Sequence, residues 1–117
     1  MNAKYFVPFD TAKQLKEKGY PQDIDYIYDT GGVRHWRHLT LYQMDKLNLV
    51  AAPTYHEVVD WLERKWICVS AMNRPWGVWF ASVEEKYKPI ENGYDTDDYT
   101  TREEALNVAI LVALSMI

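Results

Sequence analysis

Ile67-Cys68-Val69-Ser70-Ala71-Met72 and Val78-Trp79-Phe80-Ala81-Ser82-Val83 flank the pentapeptide Asn73-Arg74-Pro75-Trp76-Gly77. Both runs are rich in β-branched and aromatic side chains, which suit a pleated sheet, and Pro and Gly between them favour a turn. A β-hairpin is therefore expected here. The two faces of each run are similarly apolar, the pattern of central strands covered on both sides.

Helix signals lie on either side of this hairpin. Upstream, Thr54-Tyr55-His56-Glu57 follows Pro53 as a capping box, in which hydroxyl and carboxylate each satisfy an unpaired backbone N–H. The helix should run to about Lys65, with Tyr55, Val58, Val59 and Leu62 on one face and Trp61 and Trp66 widening the apolar side. Glu57, Asp60, Glu63 and Arg64 then turn mostly to water. Downstream, Glu84 to Thr100 reads as a long polar connection turning at Asn92-Gly93, and Thr101-Arg102-Glu103-Glu104 is a second capping box. The helix it opens is apolar almost all round from Ala105 onward, so it is expected deep in the core or half buried against a partner.

Nearer the N-terminus, Asp10 to Lys18 reads as a short helix capped by Asp10 or Thr11 and stopped by Gly19 and Pro21. Ile24, Tyr26 and Tyr28 alternate with Asp25, Ile27 and Asp29, a period of two. Gly31-Gly32 suits a tight turn, because glycine reaches positive φ without a Cβ clash. The run Val33 to Leu39, or in its longest reading to Tyr42, returns as a second strand, whereas Gln43 to Ala52 carries no clear pattern. The order is α-β-β-α-β-β-α. It predicts one α+β domain over 1–117, with helices packed on an antiparallel sheet of about four strands.

The composition bounds the function. At 117 residues, 48% of them apolar and 26% charged, the chain suits a single soluble domain and excludes collagen-like, disulfide-knot and disordered classes. Cys68 is the single cysteine, which points to a reducing compartment. Met1 to Pro8 holds no apolar run of signal-peptide length. The thirteen residues from Ala105 to Ile117 fall short of the roughly 20 that cross a bilayer. A cytoplasmic protein with no membrane contact is expected. The net charge of −4 is concentrated in residues 84–104, which carry eight acidic and three basic groups. An acidic block of this kind disfavours nucleic acid as a partner.

Several clusters could carry chemistry. His35-Trp36-Arg37-His38 places two histidines three apart, but on a strand such positions face opposite ways and cannot share a metal ion. With Arg34, the same stretch offers a nucleic-acid alternative: Arg34 and Arg37 for phosphate, Trp36 for stacking on bases. Cys68, between Ile67 and Val69, reads as an inert core thiol. Asp95, Asp97 and Asp98 fail the EF-hand pattern, since Thr100 and Leu106 stand where glycine and glutamate are required. With Glu84, Glu85 and Glu91 they read as a solvated acidic loop, the sharper alternative being docking of a basic protein partner. Trp76, at a hairpin tip beside Arg74, is a candidate anchor for such a partner, its alternative being to fold back over the sheet edge. No phosphate loop, nucleophile elbow or zinc-protease motif occurs.

Phe6-Val7-Pro8-Phe9, the helix ending at Gly19, Ala51-Ala52-Pro53-Thr54-Tyr55 with Trp61-Leu62 beyond, and Thr101-Arg102-Glu103-Glu104-Ala105 form a further pattern. In these residues the chain resembles a family of small uncharacterised proteins carried by bacterial phages and other mobile elements. The resemblance spans most of the length, implies a mobile-element setting and brings no catalytic residues with it.

Together these readings predict a non-enzymatic binding or accessory protein without cofactor or metal, acting by protein–protein contact. Its surfaces would be Arg74, Trp76, Asp95, Asp97 and Asp98, with self-association through the C-terminal helix as a further expectation. On that last expectation, Leu114→Asp would convert a dimer to a monomer.

Overall fold

The chain folds as an α+β protein, described by a computed structural model over residues 3–85 and 93–117. The order of helices and strands broadly follows the sequence expectation. Its contacts divide into two compact units, Met1–Thr54 and Tyr55–Ile117. Each has its own three-stranded antiparallel sheet, where the sequence suggested a single sheet of about four strands. Strands of two and three residues (Val50–Ala51, Tyr94–Asp95, Tyr26–Tyr28 and Arg34–Trp36) complete these sheets, and runs so short carry little periodicity.

In the first unit, α1 (Phe9–Glu17) starts after Pro8, whose ring has no hydrogen-bonding atom and so leaves the helix without a side-chain cap. Thr11, expected as a cap, is buried one turn inside. Gly19, at φ 89°, ends the helix in the left-handed conformation that glycine adopts without penalty. The strands β1 (Tyr26–Tyr28) and β2 (Arg34–Trp36) form the expected hairpin, and β3 (Val50–Ala51) pairs along the other edge of β1. Between β2 and β3 lies α2 (Leu41–Lys46), which takes Leu41 and Tyr42 from the longest reading of the second strand and continues into the stretch from Gln43 whose sequence showed no pattern. It is held by a Thr40/Gln43 capping box and contributes Met44 to a cluster with Ile27 and Leu49, against which Leu39 packs. Alternation along β1 sends Tyr26 and Tyr28 to the opposite face, where the rings of Phe6 and Phe9 meet them edge-on.

The second unit is built on β4 (Ile67–Arg74) and β5 (Val78–Glu85), paired residue for residue over eight positions. A short third strand, β6 (Tyr94–Asp95), lies on the far side of β5, so the order is β4-β5-β6. The helix α3 (Tyr55–Arg64) packs on β4, while α4 (Arg102–Ser115) packs on both long strands and on α3. Both helices meet one face of the sheet, that of Ile67, Val69, Ala81 and Val83, all buried. The opposite face keeps Ser70, Met72 and Arg74 exposed and Cys68 half-buried. This corrects two expectations: β4 is an edge strand covered on one face only, and Cys68 is no core thiol.

The N-terminus of α4 is fixed by Thr101, whose hydroxyl accepts the Glu104 N–H at 3.1 Å and donates to the Glu104 carboxylate at 2.9 Å. Along this helix Ala105, Leu106, Ala109, Ile110, Ala113 and Leu114 are buried. Leu114, at 1% exposure, belongs to the core and lies on no open association face. The Asn92-Gly93 turn expected from sequence falls partly outside the described residues, since Asn92 is not among them.

No helix among the described residues is long and apolar enough to cross a membrane. Because Leu114 is enclosed, Leu114→Asp is expected to unfold the second unit rather than release a monomer from a dimer. A buried carboxylate without a partner places this change in the class costing about 4 kcal/mol or more. Urea denaturation followed by circular dichroism checks it.

Candidate functional site

The β4–β5 ladder closes at the pair Arg74–Val78, leaving Pro75-Trp76-Gly77 as the tip. Trp76 has φ 79° and ψ 12°, the values required of the third residue of a type II turn, for which Pro75 supplies the favoured second residue. That position normally falls to glycine or asparagine, because a Cβ there strains the backbone by about 1–2 kcal/mol. Gly77 follows at φ 76°. The indole on this strained residue is 96% exposed. Trp76 therefore does not fold back over the sheet edge, and its burial within the chain does nothing to offset the strain.

Arg74 is held below the tip. Its guanidinium carbon lies 3.9 Å from the centroid of the Phe80 ring, and its Nε donates to Asp98 Oδ1 at 2.8 Å. What brings Asp98 here is a pairing that the sequence reading described only as a polar connection. Trp79 and Tyr99 exchange backbone hydrogen bonds of 2.7 Å, and the Thr96 N–H donates to the Ala81 carbonyl at 2.9 Å. Thr96, buried to 6% exposure, turns its hydroxyl to accept the Ala81 N–H at 2.9 Å, standing in for a strand carbonyl. Asp95 accepts the Ser82 hydroxyl at 2.8 Å, and Asp97 is exposed. Arg74, Asp95 and Asp98 are thus braced on the hairpin by one strand-like segment.

The nucleic-acid candidates occupy the first unit. Arg34 and Trp36 share a face of β2. The Arg34 guanidinium sits 4.0 Å from the Phe6 ring centroid, and Trp36, 51% exposed, meets Tyr26 edge-on at 5.1 Å. Arg37 Nη2 donates to Asp23 at 2.7 Å. Both guanidinium groups are engaged with groups of their own unit.

His35 and His38 are exposed and His35 faces a carboxylate, Asp29, that the sequence reading did not connect to it. His35 Nε2 lies 2.7 Å from Asp29 Oδ2, while Asp29 Oδ1 accepts the backbone N–H groups of Gly31 at 2.9 Å and Val33 at 3.0 Å. The Val33 N–H and the His35 ring hold the Asp29 carboxyl below the usual aspartate range. Aspartate at the start of a glycine-containing turn was the available signal, since its side chain habitually accepts N–H groups two residues on. Among the described residues, no group of three or more His, Cys, Asp or Glu side chains is placed to hold a metal ion.

No protein-family model, curated protein or solved structure matches the chain.

The Asp29 arrangement sets a pH dependence. A carboxyl whose value is lowered on folding stabilises the fold above the ordinary aspartate range and loses that contribution as pH falls through the lowered value. The Gly31 and Val33 amide signals should accordingly shift in acid with a midpoint below that of free aspartate. An NMR titration checks it, and Asp29→Ala should abolish the transition at both amides.

Proposed function

We propose that the chain is a non-enzymatic binding or accessory protein that engages a protein partner through the β4–β5 hairpin tip. One observation carries this reading: a tryptophan 96% exposed, on a backbone conformation that favours glycine. Strain retained without any gain in packing is what a contact residue shows, because its return comes in the complex. Burial of an indole of about 200 Å² would contribute roughly 5 kcal/mol before the costs of association. Arg74 stands beside it, and Asp95, Asp97 and Asp98 lend the flank negative charge, which suits a partner with a basic rim.

The phage and mobile-element setting implied by the resemblance belongs to this proposal. So does a cytoplasmic location, which a lone, half-buried Cys68 thiol suits.

The alternative, nucleic-acid binding through Arg34, Trp36 and Arg37, is favoured by the half-exposed Trp36 ring. It is weakened by the engagement of both arginines, one on Phe6 and the other on Asp23. If it holds, low-salt gel shifts will show binding that falls steeply with salt and is lost in Arg34→Glu/Arg37→Glu. No shift at low salt removes it.

Trp76→Asn separates contact from scaffolding. Asparagine tolerates the left-handed backbone, so the melting temperature should hold or rise by a few degrees, while partner capture in a pull-down is lost. Capture of the same partners by this variant would defeat the proposal.

A further inference from the structure

Among the described residues, both helices of the second unit lie on one face of the β4-β5-β6 sheet, and the other face carries no helix. Cross-strand partners point the same way, so the register assigns this open face row by row. Arg74 stands with Val78 next to the tip, followed by Met72 with Phe80, Ser70 with Ser82, and Cys68 with Glu84. On β6, Asp95 joins the Ser82 row. The rows differ in kind. At the tip end Met72 is exposed and Val78 and Phe80 are half-buried, an apolar patch that runs up to the bare Trp76 indole. In the middle the two serines are small and leave a shallow trough. At the far end Glu84 and Asp95 are exposed, and neither has a cationic partner among the described residues.

Charge limits what can cover this face. Glu84, Asp95 and Asp98 stand against one guanidinium, that of Arg74, which Asp98 already pairs at 2.8 Å. The surplus is negative and lies at the end away from the tip. It repels phosphate, whether of nucleic acid or of an anionic lipid surface. A second copy laid face to face would bring the same surplus with it. The width of the sheet then selects among cationic protein elements. Two long strands and a two-residue third, about 4.8 Å apart, span about 10 Å, the diameter of one α-helix. Eight ladder positions at about 3.3 Å each run about 26 Å, the length of a helix of roughly 17 residues.

We infer that this face seats one basic amphipathic helix of the protein partner, lying along β4 and β5. The apolar stripe of that helix covers Met72, Val78 and Phe80 and continues onto the Trp76 indole. A large side chain from the same stripe fills the trough over Ser70 and Ser82. Lysine or arginine at its other end meets Glu84 and Asp95, where exclusion of water strengthens the pairing. The sheet then has helices on both faces, a layered arrangement in which neither apolar surface is left in water. The inference rests on Trp76 as a contact residue and names the element that the partner presents to it.

The probe is a fluorescein-labelled peptide of roughly 17 residues, with leucine at every third or fourth position and lysine between, titrated with the full chain at physiological ionic strength. Anisotropy should show saturable binding, weaker by about tenfold when the same residues are reordered to spread leucine around the helix. Glu84→Lys/Asp95→Lys should weaken the amphipathic peptide by about tenfold, with the circular dichroism spectrum unchanged. Asp60→Lys/Glu63→Lys makes the same change in net charge at exposed positions of α3, on the covered side of the sheet, and should alter affinity by no more than about twofold. No saturable binding, equal binding of the two peptides, or equal loss from the two lysine pairs overturns the proposal. If the peptide ignores Glu84→Lys/Asp95→Lys while Trp76→Asn still loses a captured protein, the helix falls and the contact reading stands. If Trp76→Asn changes neither capture nor peptide affinity, both fall.

Discussion

The unbroken ladder between β4 and β5 constrains most of the second unit. Eight cross-strand pairs without a bulge fix which side chains face the helices, since slipping by one residue would reverse every one of them. The buried set of Ile67, Val69, Ala81 and Val83 meets α3 and α4 on one face. On the other side of β5 the backbone groups of Trp79 and Ala81 seat the segment from Thr96 to Tyr99, and that segment carries Asp98 to Arg74. The tip is thus presented at the end of a rigid arm.

This explains how a strained residue persists there. Hydrogen-bonded strands and the stacked Arg74–Phe80 pair hold both ends of a three-residue connection, so the turn has little freedom to relax. Trp66 meets a related constraint at the end of α3, where its left-handed backbone joins helix to strand. Tryptophan stands at both junctions where glycine would cost less, and both rings retain at least half of their exposure.

The first unit achieves its order by other means. Its strands are two or three residues long, too short for a ladder to dominate. The Asp29 carboxylate gathers the Gly31 and Val33 amides and the His35 ring, and Tyr28 donates its hydroxyl to the Val7 carbonyl at 2.6 Å. Burial pushes the Tyr28 hydroxyl above its ordinary value, which preserves it as a donor. Polar side chains here supply what backbone pairing does elsewhere.

The α+β class, both hairpins, the helix opened by Thr101 and the place of Trp76 at a hairpin tip were legible in the chain, because capping residues, Pro-Gly turns and alternation act over a few neighbouring residues; whether that ring is exposed or folded back was not. The helix Leu41–Lys46 was not, since its six residues bury only Met44 and leave no periodic stripe. Nor could local pattern show that β4 lies at an edge, that Leu114 is enclosed, or that Thr96 completes a ladder. Each of these depends on which segment lies alongside, and that is decided when distant parts of the chain compete for the same apolar face and the same backbone groups.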